Sequence, residues 1–235
     1  LATVYRPDGK FYSFQRYQGQ WIAEGFVIGK LERLEPGGVF TGWRYTTDVD
    51  DLVETYNAQG RLISIANRAG LTQTLTYDGT SRLSTVSDPF GRALTFGYDA
   101  QNRVASMTDA AGAQYIYTYD TSNDLVSVAY PSSGTRIYHY NESQFIQDGF
   151  SLPNAMTGIT DENNQRYANF EYAANRIATA TEHAGGVNRY SIQYDVGGPN
   201  DQVTDPLGCV RDYRRAFPAP QGRLRMWTIF GLGDC

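Results

Sequence analysis

A tyrosine followed by aspartate or asparagine recurs at a fixed interval through the middle of the chain. The interval is 21 residues at each of four consecutive steps, which join Tyr56, Tyr77, Tyr98, Tyr119 and Tyr140. Four equal steps are not a chance pattern, so the sequence predicts a repeat array. The same role passes to Tyr172 after 32 residues and to Tyr194 after a further 22.

Each period contains two strand-like stretches and two turn signals. Aspartate or asparagine opens the turns, and a glycine occupies the fourth position of several, namely Gly70, Gly91 and Gly112. From Tyr77 to Tyr140, a large apolar residue lies two positions before each repeated tyrosine. Phe96 precedes Tyr98 in this way, so both rings share one face of a strand. One period therefore has the length of a β-hairpin.

The other strand of each period has an unusual spacing. Its apolar residues lie three positions apart, as Leu62 and Ile65 do, whereas a half-buried strand has a period of two. A β-bulge would explain this spacing, and so would a strand that is buried on both faces. Both explanations are open at this point.

Composition supports a β-rich fold and narrows the classes of partner. Aromatic residues make up 14% of the chain and charged residues 19%, with 24 glycines, which is typical of β proteins with many turns. The net charge of -5 argues against nucleic acid as a partner. The sequence shows no apolar run long enough to span a membrane, and no signal peptide at its start.

The pattern predicts three segments. Residues 1–46 contain atypical strands that would cap the array, residues 47–213 form the array with an irregular insertion at 142–171, and residues 214–235 form an irregular tail. The tail is basic and broken by proline, so a capping segment, a linker and a disordered end are all open.

The repeat resembles the RHS/YD-repeat family of bacterial polymorphic toxin shells, which is related to the Tc toxin and teneurin shells. Matching segments include Tyr56-Asn-Ala-Gln-Gly-Arg-Leu62, Asp88-Pro-Phe-Gly-Arg92 and Thr204-Asp-Pro-Leu-Gly208. The resemblance implies an all-β fold of tandem β-hairpins that form a curved ribbon or solenoid. It also implies a secreted or cell-surface shell that encloses a C-terminal toxin or other cargo. The implied partners are the rest of a larger RHS protein and that cargo.

An adhesion module that binds carbohydrate or a cell surface is the alternative function. Exposed tyrosines can stack on sugars, but aromatic residues at one repeated strand position more often pack across strands. An arginine column could contact an anionic glycan, although such residues more often pair with the aspartates of neighbouring repeats, which is worth about 0–1 kcal/mol per exposed pair. The column consists of Arg61, Arg82, Arg103 and Arg176.

We expect no catalytic residue, metal site or cofactor. The two histidines, His139 and His183, lack metal-ligand spacing, and the acidic stretches lack a calcium-loop pattern. A self-cleaving Asp-Pro-x-Gly-Leu motif occurs in some members of the family. Here the Asp-Pro-x-Gly sequences that begin at Asp88 and Asp205 are followed by Arg92 and Cys209, and both lie at ordinary repeat turns, so no protease role is assigned to them.

Two cysteines, Cys209 and Cys235, lie near the end of the sequence. A disulfide between them and two separate thiols are both possible.

Overall fold

The computed structural model describes residues 1–216 except 26, 49, 133 and 195–199, together with residues 225–230. These residues form 21 β-strands and four short 3-10 turns, and they contain no α-helix. The strands divide between two compact units, Leu1–Gln114 and Tyr115–Cys235. The prediction of an all-β fold built from tandem β-hairpins is confirmed.

Strands of the first unit are β1 (Ala2–Tyr5), β2 (Phe11–Tyr17), β3 (Gln20–Ala23), β4 (Lys30–Leu34), β5 (Gly42–Thr46), β6 (Val53–Asn57), β7 (Leu62–Ala66), β8 (Thr72–Tyr77), β9 (Leu83–Ser87), β10 (Ala93–Tyr98) and β11 (Val104–Thr108). Within this unit, consecutive strands pair in antiparallel fashion. A 3-10 turn, Pro36–Gly38, lies between β4 and β5.

In the second unit the strands are β12 (Gln114–Tyr119), β13 (Leu125–Ala129), β14 (Thr135–Tyr140), β15 (Met156–Thr160), β16 (Arg166–Tyr172), β17 (Ala178–His183), β18 (Val187–Gln193), β19 (Asn200–Thr204), β20 (Val210–Ala216) and β21 (Arg225–Phe230). Within this unit, too, consecutive strands pair in antiparallel fashion. The remaining 3-10 turns are Ser143–Phe145, Gln147–Gly149 and Ala184–Gly186.

The N-terminal strands of the first unit contain its hydrophobic core. The buried residues there are Val4, Phe14, Leu31 and Tyr45, and Tyr56 of β6 packs against them. The first repeated tyrosine therefore packs on these strands. That residues 1–46 cap the array stays a prediction.

A β-bulge in every regular hairpin explains the apolar spacing of three. Tyr56 pairs with Leu62 while the preceding residue Thr55 pairs with Ser64, so Ile63 is the extra residue of β7. The bulge brings Leu62 and the residue three positions later onto the face that carries Tyr56. The same register shift occurs before Tyr77, Tyr98 and Tyr119. Of the two explanations left open by the sequence, the bulge is the one observed.

The insertion in the second unit is a long loop within one turn. The regular turn closes with the Asn57 N–H bonded to the carbonyl of Arg61, whereas the Asn141 N–H bonds to the carbonyl of Ala155. This loop accounts for ten of the eleven extra residues in the 32-residue step, and a bulge at Tyr167 in β16 accounts for the other. The irregular part is thus narrower than the predicted 142–171, since β15 and β16 are regular strands.

The tail differs from the irregular segment that the sequence analysis expected. Strand β20 continues to Ala216 and pairs with β21, Arg225–Phe230. Apolar and β-branched residues predominate in Met226-Trp-Thr-Ile-Phe230, and their strand preference explains the second strand. Both prolines of the tail precede β21 and lie outside the described residues. The expected three-segment division of the chain otherwise stays a prediction.

Candidate functional site

The repeated tyrosines connect each hairpin to the one before it. The Tyr77 hydroxyl donates a 2.7 Å hydrogen bond to the main-chain carbonyl of Leu62, the residue that pairs with Tyr56 in the preceding bulge. The same bond, at 2.8–3.0 Å, joins Tyr98 to Leu83, Tyr140 to Leu125, Tyr172 to Met156 and Tyr194 to Ala178. We call this series the tyrosine ladder. It satisfies a backbone acceptor at the bulge, where sheet pairing is interrupted.

The rings of the tyrosine ladder are half-buried. They are therefore not fully exposed, as a surface that stacks on sugars would be, and not fully buried, as core residues would be. Burial raises the pKa of Tyr77, Tyr140 and Tyr172. These hydroxyls therefore remain protonated, as their role as hydrogen-bond donors requires.

Tyr56 has a different partner because it belongs to the first repeat. Its hydroxyl donates a 2.6 Å bond to the buried carboxylate of Glu54, which also accepts two bonds from Arg6 at 2.7 and 2.9 Å. The Arg6 guanidinium lies 5.3 Å from the centroid of the Tyr45 ring. Burial raises the pKa of Tyr45 to about 12, and burial together with the Glu54 bond raises that of Tyr56. The sequence analysis missed this polar cluster, since no repeat pattern marks Arg6 or Glu54.

An aspartate or asparagine side chain holds most of the regular turns. The Asp88 Oδ1 accepts 2.9 Å bonds from the main-chain N–H groups of residues 90 and 92. Residues that make the equivalent pair of bonds include Asn57, Asn67, Asp78, Asp99, Asp109, Asp120, Asp161 and Asp205. The fourth turn position has positive φ, 79° at Gly70 and 82° at both Gly91 and Gly112, which explains the glycines there.

Arginines of the column contact their own turn rather than the aspartate of a neighbouring repeat. Arg82 Nε donates a 2.8 Å bond to Asp78, and Arg103 Nε donates a 2.7 Å bond to Asp99. The Arg82 guanidinium also lies 4.5 Å from the Tyr98 ring centroid, in the next repeat. Arg61 lies more loosely over the next tyrosine, at 5.8 Å from the Tyr77 centroid. The main-chain N–H of Arg82 or Arg103, followed by other hydrogen bonds, lowers the pKa of Asp78 and Asp99.

Two residues depart from the arginine column. Arg176 lies one position earlier in its turn, at the fourth position, and has a φ of 70°. Asp124 takes the place of the arginine in its repeat, and its Oδ2 is buried without a hydrogen bond from a described residue. The four arginines grouped by the sequence therefore do not occupy one structural position.

A chain of polar contacts runs from the insertion loop across strands β16 to β18. Arg166 bonds to Glu142 and Asn169, Asn169 bonds to Glu182, and Arg189 joins Glu182 to Glu171. We call these six residues the polar network. Their sequence separations follow no period, so the sequence analysis gave no signal of it.

Hydrogen bonds in and beside the polar network favour the charged forms of Glu142 and Glu182. Burial opposes the charged form of Glu142, but bonds from Arg166 and Thr157 outweigh it and lower the pKa of Glu142. Bonds from Asn169 and Arg189 lower the pKa of Glu182. Gly158 provides the space for the Arg166 guanidinium, because a Cβ there would overlap it.

The histidines make ordinary structural contacts. His139 Nε2 lies 2.7 Å from the Thr160 hydroxyl, and the His183 ring packs edge-on against Tyr167 with centroids 5.0 Å apart. Among the described residues, no three His, Cys, Asp or Glu side chains form a group able to hold a metal ion. No described helix is long and apolar enough to cross a membrane.

Cys209 follows the turn opened by Asp205, whose carboxylate accepts a 3.0 Å bond from the Cys209 main-chain N–H. Cys235 lies outside the described residues, so its disulfide with Cys209 stays a prediction.

Bulged hairpins joined by a tyrosine ladder define a β-hairpin repeat protein. The teneurin YD-shell family model matches residues 35–204, which is more than two thirds of the chain. The chain belongs to this family, and its predicted relationship to the RHS/YD-repeat proteins is confirmed. No curated protein matches the chain.

Solved structures of Tc toxins are similar over most of the chain. A crystal structure of TcdB2-TccC3-TEV has 11% identity and a TM-score of 0.42, and the match covers 93% of this chain and 13% of that one. For a crystal structure of TcdB2-TccC3 the identity is 12% and the TM-score 0.40, covering 94% and 15%. A Tc holotoxin pore of Photorhabdus luminescens that carries a TccC3 mutation has 13% identity and a TM-score of 0.36, covering 92% and 14%. The chain thus spans between 13% and 15% of the length of these structures.

Proposed function

We propose that this chain is a structural segment in the shell of an RHS-type secreted toxin or surface protein. Its hairpins form part of a wall that encloses a C-terminal toxin or other cargo, and the shell is secreted or displayed at the cell surface. The observation that carries this proposal is the tyrosine ladder within a matched YD-shell segment. Such a ladder ties consecutive hairpins together without any catalytic group.

The partners proposed are the remainder of a larger RHS protein and its enclosed cargo. Most side chains of the array are only half-buried in this chain, so the proposed shell wall would pack against further protein. Among the described residues of the regular repeats from β6 to β11, Glu54 is the one that exposes less than a tenth of its surface. Apolar side chains left half-exposed favour further packing partners.

Limited proteolysis of the protein as the cell makes it tests enclosure. We expect any region that follows the array to resist protease while the array is folded, and to be cut once urea unfolds the array. A destabilised array variant should lose this protection at a lower urea concentration. Cleavage at the same rate as the isolated C-terminal region would contradict enclosure.

Glycan adhesion remains the alternative. The sequence offered the column arginines as candidate glycan contacts. In the structure, however, Arg82 forms an ion pair with Asp78 and Arg103 forms one with Asp99. A glycan array with the purified chain tests it directly. Binding that is lost in Arg61→Gln, with folding unchanged, would move adhesion ahead of enclosure.

A further inference from the structure

A cleft of about 640 Å³ lies beside the insertion loop of the second unit. It is lined by loop residues 152–155, by Met156 of β15, by Tyr172 and by Arg176. The loop that forms one wall replaces the five-residue turn of the regular repeats, so those repeats have no equivalent wall. The cleft is therefore a feature of this hairpin and not of the repeat in general.

Arg176 holds an unfavourable backbone conformation at the edge of this cleft. Its φ is 70°, in the left-handed region that side chains with a Cβ rarely adopt. Glycine, serine or asparagine occupies the same turn position in other hairpins, at Gly60, Ser81, Asn102, Asn123 and Asn164. Glycine and asparagine tolerate the conformation better than arginine does. Strain of this kind, where a small residue would fit, is a signal of function.

Arg176 also differs from other arginines of the second unit in its ion pairing. Within the described part of the second unit, other arginine side chains form ion pairs with carboxylates, namely Arg136, Arg166, Arg189 and Arg211. Arg176 forms no ion pair with a described residue and is exposed. Its charge is available to a ligand at the rim of the cleft.

The other groups that line the cleft are mostly apolar. Ala155 and Met156 are half-buried and present aliphatic surface, Leu152 is buried, and the Tyr172 hydroxyl is occupied by its 2.9 Å bond to the Met156 carbonyl. One amide, that of Asn154, adds a neutral polar group. A sugar needs many hydrogen-bonding partners, whereas this lining offers one cation above an apolar floor.

We propose that this cleft binds a peptide segment in which an acidic residue lies beside a bulky apolar one. The carboxylate pairs with Arg176, for which a planar guanidinium is well suited, and the apolar side chain covers Ala155 and Met156. The site is independent of whether the chain encloses a toxin.

Fluorescence anisotropy with a labelled Ala-Phe-Asp-Leu-Ala peptide tests the proposal. We expect the Ala-Phe-Asn-Leu-Ala analogue to bind about tenfold more weakly, because it lacks the charge that pairs with the guanidinium. Arg176→Gly should weaken binding of the acidic peptide by a similar factor. It should also raise the thermal midpoint, because glycine relieves the left-handed strain. Arg176→Lys should recover part of the binding.

Arg61→Gln is the matched control, since Arg61 also forms no ion pair with a described residue, and it should bind the peptide as the parent does. Equal binding of both peptides, or binding unchanged by Arg176→Gly, would overturn the assignment. So would the absence of peptide binding together with tight, Arg176-dependent binding of a hexagalacturonate probe, which would instead make this an acidic-glycan site.

Discussion

The Tyr98 hydroxyl donates a 2.8 Å hydrogen bond to the main-chain carbonyl of Leu83, fifteen residues earlier. Leu83 pairs with Tyr77 across the bulge of the preceding hairpin. A side chain of one repeat thus satisfies the backbone of another at the point where sheet pairing is interrupted.

Tyr98→Phe tests the strength of this link. The substitution keeps the ring beneath Arg82 but leaves the Leu83 carbonyl without its donor, so we expect a loss of about 1–3 kcal/mol in the free energy of unfolding. Urea denaturation measures it. Tyr5→Phe is the control, because Tyr5 is 77% exposed and should change stability by less than about 0.5 kcal/mol. Equal effects of the two substitutions would show that the ladder bond adds no stability.

The turn aspartates should make the stability of the fold sensitive to acid. The main-chain N–H of Arg103, with further help from its guanidinium, lowers the pKa of Asp99 below its ordinary value of 3.8. A depressed folded-state pKa contributes stability above the unfolded pKa and loses it as pH falls through the folded pKa. Asp99→Asn should therefore lower stability at neutral pH and flatten its decline below about pH 4.

Urea midpoints measured from pH 7 down to pH 2 check this prediction. Asp50→Asn is a suitable control, since Asp50 is exposed and forms no ion pair with a described residue. An unchanged pH profile in Asp99→Asn would mean that the turn carboxylate does not couple folding to protonation.

Three phenylalanines of the first unit provide a graded test of burial. Phe14 is fully buried in the N-terminal core, Phe96 is half-buried in the array, and Phe90 is 69% exposed. Replacement by alanine should cost about 3–5 kcal/mol at Phe14 and less than about 0.5 kcal/mol at Phe90. Phe96→Ala should fall between them, as measured by chemical denaturation. A cost at Phe96 equal to that at Phe14 would indicate that the array face is covered in solution.

Gly158→Ala tests the polar network. The new methyl group would displace the Arg166 guanidinium and break its contact with Glu142, so we expect a loss of about 1–3 kcal/mol. Gly79→Ala is the control, because a Cβ there meets nothing within 4 Å. A loss no greater than that of the control would show that Arg166 can move without cost.

The sequence predicted the repeat unit, its turns and its fold class because these depend on local signals repeated in register. Tyr77, Asp78 and Gly91 each recur at fixed positions, and each has a local reason for its residue type. The same signals left the bulge unresolved, since a spacing of three at Leu62 and Ile65 fits more than one strand geometry.

Features outside the period could not be predicted in the same way. Glu142 and Arg166 are 24 residues apart, and nothing in the sequence marks them as a pair until the loop brings them together. Arg176 was grouped with Arg61 because both follow a tyrosine closely, but a one-residue difference puts it at the strained turn position. Strand β21 was missed because the prolines before it were given more weight than its own β-forming residues.

The links of the tyrosine ladder span only fifteen or sixteen residues along the chain. During synthesis, each hairpin can therefore dock on its predecessor soon after it leaves the ribosome, without waiting for a distant segment. The core around Phe14 precedes the repeats in the sequence, so it is translated before them and supplies a finished surface for the first repeat. Assembly of the repeats would then proceed in the direction of translation, and each new hairpin would have an open outer edge until the next one docks on it.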